Sequence, residues 1–271
     1  MLTPGKTDEN VPAHAVLSPS ASSRWIACPG SVAASASVAQ KPAGKYALQG
    51  TAAHSLLEMC LRLDQDPERF LGHEIEEGFI VDEDMAHAVA QGVEFVREEL
   101  KRNKAMNLHI ESRVKIGPLI GLNNGELEGT ADIILEDGRM CIVADYKHGA
   151  GIYVDARKNS QLQLYAAGAR HKLGSPFFKY RTVVIQPRMY VNNGRTIRDD
   201  HFTEGELVTW LQSTVKPSAH AALSPNARRV AGDHCHWCPA GGKCRTRATF
   251  MSSKAASEFG PVGVDLVEEL L

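Results

Sequence analysis

Apolar residues recur along this chain in two periods, and the switch between them lays out its elements. Between Asp84 and Lys104, Met85, Ala88, Val89, Val93, Val96 and Leu100 return every three or four residues, which gathers them on one face of an α-helix. A second stripe, Leu56, Leu57, Cys60 and Leu61, follows Gly50-Thr51, which reads as that helix's start. Ser18-Pro19 predicts an earlier helix running through Trp25 to Cys28-Pro29-Gly30, with serine as cap and proline in the first turn. Alternation takes over from Leu108 to Ile116, with Ile110, Val114 and Ile116 on one face and Glu111 and Arg113 on the other.

Further strands are predicted at Gly129 to Leu135 and Met140 to Lys147, joined by a Glu136-Asp137-Gly138 turn, and at Tyr180 to Gln186 before Pro187-Arg188. Asn159 or Ser160 caps a helix between them. Thr203 and Glu206 form a capping box for a last long helix through about Ala222. The order predicts an α/β fold, a mixed β-sheet core flanked by helices.

Residues 1–16 are polar and read as a flexible N-terminus, 17–250 as a single domain, and 251–271 as a C-terminal tail. Within the domain, 64–83 is acidic and turn-rich, an insertion or a flexible arm. The tail starts as a small-residue linker at Ser252 and ends in VDLVEELL, an acidic amphipathic piece that suits a partner or the chain's own surface.

At 271 residues and 43% hydrophobic composition the chain can bury a full core. No apolar run approaches the ~20 residues of a membrane span and no signal peptide is visible, so the expectation is a soluble cytoplasmic protein with no membrane partner. Net charge is only -2, but it is unevenly spread. Residues 58–100 carry 13 acids and 3 bases, while 156–198 carry 9 Lys or Arg and no acid. Such a basic segment suits a phosphate backbone, with Arg157, Lys158 and Arg188 as candidate contacts, unless its bases pair with the acidic stretch.

The chemistry concentrates in the predicted hairpin. Asp145 and Lys147, two apart on a strand, share a face, and Asp132 can reach them from the other arm. Two carboxylates and a lysine suit a hard divalent cation, Mg2+ or Mn2+, with the amine orienting a nucleophile or steadying negative charge. A solvated ion pair on an edge strand is the plain alternative. On the following helix Gln161 and Tyr165 lie four apart, on one side. So do His54 and Glu58 on theirs, where a structural histidine is the plain reading.

Gly129-Thr130-Ala131-Asp132, Asp145-Tyr146-Lys147 and Gln161-x-x-x-Tyr165 resemble, in order and spacing, motifs II, III and Q-x-x-x-Y of RecB-type nucleases in the PD-(D/E)XK superfamily. Gly50-x-x-x-His54 resembles motif I of the same group. The resemblance implies a restriction-endonuclease-like fold and a DNA-cleaving enzyme, an exonuclease ahead of an endonuclease. It also implies His54, Asp132 and Asp145 as metal ligands, Lys147 as catalytic, Gln161 and Tyr165 as strand-positioning, and Glu58 as a weaker candidate. Relatives often place an acid just before motif II, which offers Glu111 as an auxiliary ligand, though a solvent-facing glutamate is equally natural. No G-x-x-x-x-G-K-[ST] nucleotide-binding motif is present, so any unwinding comes from elsewhere.

Cys235, Cys238 and Cys244 are closely spaced, which argues for metal rather than disulfides, and Cys28 supplies a fourth thiolate. This layout of one plus three resembles the iron-sulphur nucleases of the superfamily, including AddB-type enzymes, in which a [4Fe-4S] cluster joins the N- and C-terminal segments. Zn2+ is the alternative, with His234 or His236 replacing a cysteine. Cys60 and Cys141 lie in apolar runs and read as core. Residues 226–247 carry a net +4. Arg228, Arg229, Lys243 and Arg245 are thus candidate DNA contacts, and Trp237 either stacks on a base or packs over the cluster.

By overall pattern the chain resembles phage-encoded members of the superfamily. Such nucleases work in DNA recombination, repair or end resection, beside a single-strand annealing or single-strand-binding protein in the bacterial host cytoplasm. A non-catalytic nucleic-acid-binding or regulatory module that keeps the metal cluster is the reading from another class.

Overall fold

Short-range pairing around one hairpin builds most of the sheet, and one crossover helix completes it. The computed structural model describes residues 15–39, 42–174, 176–189 and 195–260, except the side chain of Phe259. In chain order these form α1 (Ser22–Ala27), α2 (Ser31–Ala36), α3 (Lys45–Leu63), β1 (Glu74–Glu76), β2 (Phe79–Ile80), α4 (Glu83–Arg102), β3 (Asn107–Lys115), β4 (Glu128–Glu136) and β5 (Met140–Tyr146). They continue with α5 (Ser160–Leu173), β6 (Lys179–Ile185), β7 (Ile197–Thr203), α6 (Glu204–Trp210), α7 (Lys216–Leu223) and α8 (Arg245–Phe259). Two compact units result, one from residues 15–20 and 42–211, the other from 21–39 and 212–260.

The larger unit holds a mixed five-stranded sheet in the order β3-β4-β5-β6-β7. Only β5 and β6 run parallel, and α5 makes the crossover that parallel pairing requires. On one sheet face, Leu56, Leu57 and Cys60 of α3 and Met85, Val89, Val93 and Val96 of α4 pack against Ile133, Leu135, Ile142, Ala144, Tyr146, Val183 and Ile185. Helix α5 covers the other face so closely that a methyl group added at Gly168 would stand 2.6 Å from Cβ of Val114. The local reasons are ordinary. Asp82 caps α4 by accepting the Met85 N–H at 2.7 Å, with acids in its first turn and Lys101 and Arg102 in its last. Gly138, at φ 80°, turns the β4–β5 hairpin, and Asp137 accepts the N–H groups of Arg139 and Met140.

Several boundaries differ from the sequence reading. Helix α3 begins at Lys45 after the extended Gly44, leaving Gly50 in its second turn. The 64–83 stretch is structured, with a 3-10 turn at Pro67–Phe70 and the β1–β2 hairpin. The helix predicted from Thr203 to Ala222 keeps its capping box but is interrupted by a π turn at Leu211–Val215, just ahead of Pro217 in the first turn of α7. Helix α8 runs on to Phe259 where a linker was expected from Ser252. The VDLVEELL motif, and all but two residues of the expected flexible N-terminus, lie outside the described residues. Strand β7 was not anticipated: as an edge strand it fully buries Phe202 alone, half-buries Ile197 against the core and carries charge between them, so its pattern is faint.

In β3, Leu108 packs on the α3–α4 core while Val114 and Ile116 lie against Gly168 of α5. Strict alternation would put Leu108 and Val114 on one face. The exchange occurs beside Glu111, whose φ of 45° breaks the alternation.

In the smaller unit α1 and α2 pack on α7, and the Gly30 N–H donates to the Arg228 carbonyl at 2.8 Å. Its N-terminal and C-terminal stretches therefore lie directly together.

Gly168→Ala should lower unfolding free energy by about 1–3 kcal/mol through overpacking against Val114, measured by urea denaturation. Gly205→Ala, with nothing within 4 Å of its added methyl, should be neutral or stabilising by up to about 1 kcal/mol.

Candidate metal centre

Three side chains from three elements converge in an open cleft of about 490 Å3 in the larger unit. His54 comes from α3, Glu111 from β3 and Asp132 from β4, and one ligand atom of each lies within 4.8 Å of the others. His54 Nδ1 is 3.4 Å from Asp132 Oδ2. Glu111 and Asp132 face each other on the rung between the pairs Ile110–Ile133 and Ser112–Ala131. The left-handed backbone of Glu111 at this rung is strain of the kind stored at functional sites. Asp132 is held by the Tyr146 N–H, which donates to its Oδ2 at 2.8 Å.

Beside this set, Asp145 is 3% exposed and engaged at both oxygens. Lys147 Nζ lies 2.7 Å from Oδ2, and Gln161 Nε2 donates to Oδ1 at 2.9 Å. Gln161 also reaches the Tyr165 hydroxyl at 3.4 Å. Asn159 fixes the start of α5 by accepting the N–H groups of Gln161 and Leu162. All five strand and helix residues singled out in the sequence thus meet His54 at one place. Glu111, named there as an auxiliary, sits in the tight set, while Asp145 is turned to its lysine. Glu58 lines the cleft and pairs with Arg62 at 2.7 Å.

The electrostatics favour an added cation. Burial, then the charge of Asp145, pushes the Asp132 carboxyl well above the usual carboxylate range. Burial and Glu58 raise Glu111 likewise. Burial holds the His54 imidazole below its ordinary value despite the pull of Asp145, which leaves it neutral with a lone pair to give. Burial alone would draw Lys147 down, but Asp145 and Asp132 outweigh it and keep the amine an ammonium. Lys147 is therefore a charged donor here, and buried Tyr165 stays protonated.

One network escaped the sequence reading. Tyr146 Oη and His148 Nδ1 are 3.0 Å apart, and His148 Nε2 lies 3.1 Å from Arg188 Nη1. Burial, then the Arg188 charge, pushes His148 down to about 4. Period two along Asp145-Tyr146-Lys147-His148 could have shown it, since Tyr146 and His148 share the strand face opposite Asp145.

The basic segment serves mixed purposes. Arg170 pairs with Glu204, and Arg181 with Glu99 and Asp199, so part of it is internal pairing. Arg157 is exposed near Asp155, and the exposed Lys158 offers its backbone N–H to Asp200. In the smaller unit Arg228, Arg229, Lys243 and Arg245 are exposed. Trp237 is 58% exposed, its ring edge-on to His236.

Cys28, Cys235, Cys238 and Cys244 line one small cavity of the smaller unit, together with His234, Arg229 and Arg247. The Val230 N–H donates to Cys28 Sγ at 3.3 Å. Among the described residues no three cysteine sulfurs come within 4.8 Å of one another. Cys60 and Cys141 are fully buried elsewhere, and burial pushes the Cys60 thiol up to about 11.

Because Asp132 and Glu111 hold protons unusually well, Mn2+ binding should release protons, seen by calorimetry in two buffers of different ionisation heat. Glu111→Gln should weaken binding about tenfold or more. Without the cation the folded state binds more protons here than the unfolded one, so stability should fall as pH rises from the ordinary carboxylate range through the raised values. Saturating Mn2+ should flatten that fall in thermal melts.

No helix among the described residues is long and apolar enough to cross a membrane. Among solved structures, a Eubacterium rectale protein provisionally named an exonuclease is 14% identical, with 90% of this chain and 94% of that one covered, at a TM-score of 0.46. The protein SSO0001 is 17% identical, with 61% of this chain and 76% of that one covered, at a TM-score of 0.32. Likenesses this distant leave the chemistry to be argued from the side chains themselves. The family is shown directly: the model described as "Protein of unknown function (DUF2800)" matches residues 14–267, and the chain belongs to that family.

Proposed function

We propose that the protein is a Mg2+- or Mn2+-dependent deoxyribonuclease of the PD-(D/E)XK superfamily that degrades DNA from its ends. The observation that carries this reading is a cleft lined by His54, Glu111, Asp132 and Lys147, with Lys147 held from behind by Asp145 and Gln161 in turn bonded to Asp145. A bound divalent cation supplies an acidified water and offsets charge on a phosphate oxygen. His54, Glu111 and Asp132 would hold it, and Asp145, bonded to Lys147 and Gln161, keeps Lys147 beside the reacting phosphate. The Lys147 ammonium donates hydrogen bonds to the attacking oxygen or to the charge that grows on the phosphate. Gln161 fixes Asp145, and Tyr165 offers a phenol proton to the strand.

The four cavity cysteines hold a [4Fe-4S] cluster in this reading. Zinc bonds of about 2.3 Å to a tetrahedral ion put sulfurs about 3.8 Å apart. Among the described residues no three of these sulfurs lie within 4.8 Å of one another, and what supports the cluster is that four thiols line one cavity, the number of ligands it takes. The cluster ties 21–39 to 212–260, and the exposed arginines and Lys243 around it contact the DNA backbone, as Arg157 and Lys158 do from the larger unit by themselves. A phage single-strand annealing or single-strand-binding protein in the host cytoplasm is the partner this role calls for.

End-labelled linear DNA should be consumed in Mn2+ and spared in EDTA, while closed circles survive. Lys147→Ala and Asp145→Ala, folded by circular dichroism, should each lower kcat about 10²–10³-fold. Cutting of circles would make it an endonuclease, and absence of any metal-dependent product would leave a binding module. Protein purified without oxygen should be brown, with iron and sulfide bound, and Cys28→Ser should be colourless. Zinc in a colourless wild type would refute the cluster.

A further inference from the structure

Arg188 follows β6, and its guanidinium rests on two uncharged acceptors, His148 Nε2 at 3.1 Å and Gln49 Oε1 at 3.5 Å. A guanidinium can only donate. Nε2 must therefore present its lone pair, His148 carries its proton on Nδ1, and that proton points to the Tyr146 hydroxyl 3.0 Å away. His148 is 4% exposed and its ring stacks on Tyr146 at 29°. It is a rigid neutral strut under the arginine.

The neighbouring strand end is pinned as well. Gln186 is 1% exposed and donates from Nε2 to the carbonyls of Gly149 and Ile152 at 3.0 and 2.7 Å. Arg188 thus projects from a fixed base, half-buried, with no carboxylate within ion-pair distance among the described residues. The contrast is with Arg170 and Arg181, which are neutralised by acids. A half-buried cation on neutral partners is costly until an anion completes it. Its supports reach the cleft: Tyr146 and His148 line it, and Gln49 precedes the lining residues Gly50 and Thr51.

We propose that Arg188 is a positioning residue that binds a backbone phosphate of the nucleic acid flanking the phosphate held at the metal set, with His148 and Tyr146 as its support. The inference rests on the nuclease reading and adds a subsite to it. Both bonds use Nη1, and the Nε and Nη2 N–H groups, without a partner among the described residues, form a planar fork suited to two phosphate oxygens.

Binding of a fluorescein-labelled single-stranded DNA oligonucleotide in EDTA, followed by anisotropy from low to moderate salt, tests it apart from catalysis. Arg188→Ala should weaken binding about tenfold or more and make the plot of log K against log salt shallower by about 0.7, the loss of one phosphate contact. Arg188→Lys should restore the slope while recovering affinity only in part, because it returns the charge without the fork. An unchanged slope in Arg188→Ala, or equal losses in both variants matched by equal falls in melting temperature, would overturn the subsite and leave the nuclease reading standing. No binding by the wild-type protein at any salt would overturn both.

Discussion

Carboxylates crowded together out of water are the condition that the larger unit is arranged to maintain. Asp132 and Asp145 lie on opposite arms of one hairpin, where the charge of Asp145 adds to burial in raising the cost of charging Asp132, with Glu111 adding to it across the sheet. Left to itself such a site would hold protons or swell with water. It stays in shape because each acid has a fixed neighbour: the Tyr146 backbone for Asp132, and Lys147 and Gln161 for Asp145. Those neighbours are in turn immobilised by the α3–α4 layer on one face of the sheet and by α5, pressed against β3, on the other. The fold can be understood as the packing needed to keep these groups close before any ligand arrives.

The parts of this arrangement that were legible in the sequence are the local ones. Two residues apart on a strand and four apart on a helix fix Asp145 with Lys147 and Gln161 with Tyr165, and those relations depend on nothing distant. Glu111 was seen only dimly, because its place opposite Asp132 follows from the register of β3 on β4, which no short window of sequence contains. The meeting of His148 with Arg188, 40 residues later, depends on the parallel pairing of β5 and β6 through a crossover. The basic run at 156–198 illustrates the opposite error. Composition marks it as a surface for phosphate, but Arg170 and Arg181 are partly spent on internal acids that lie outside the run, at Glu204, Glu99 and Asp199.

Charge around the cleft is consequently graded. Lys147 is committed to Asp145, Arg113 and Arg181 of the sheet to acids, Arg198 rests on the Val154 carbonyl and Gln186, and Arg188 has no acid partner among the described residues and sits beside a neutral imidazole.

The smaller unit draws its two stretches from opposite ends of the described chain, with Cys28 in one and the other three cavity cysteines in the second. A polypeptide leaves the ribosome in order, so the whole sheet is available to fold while Cys28 still waits for Cys235, Cys238 and Cys244. During synthesis that thiol stands alone, and its cavity can close only after the sheet strands have been made. Maturation of this unit is therefore a late event in the life of each molecule, and a chain interrupted before Cys235 would carry the complete acid cleft with no cysteine cavity at all.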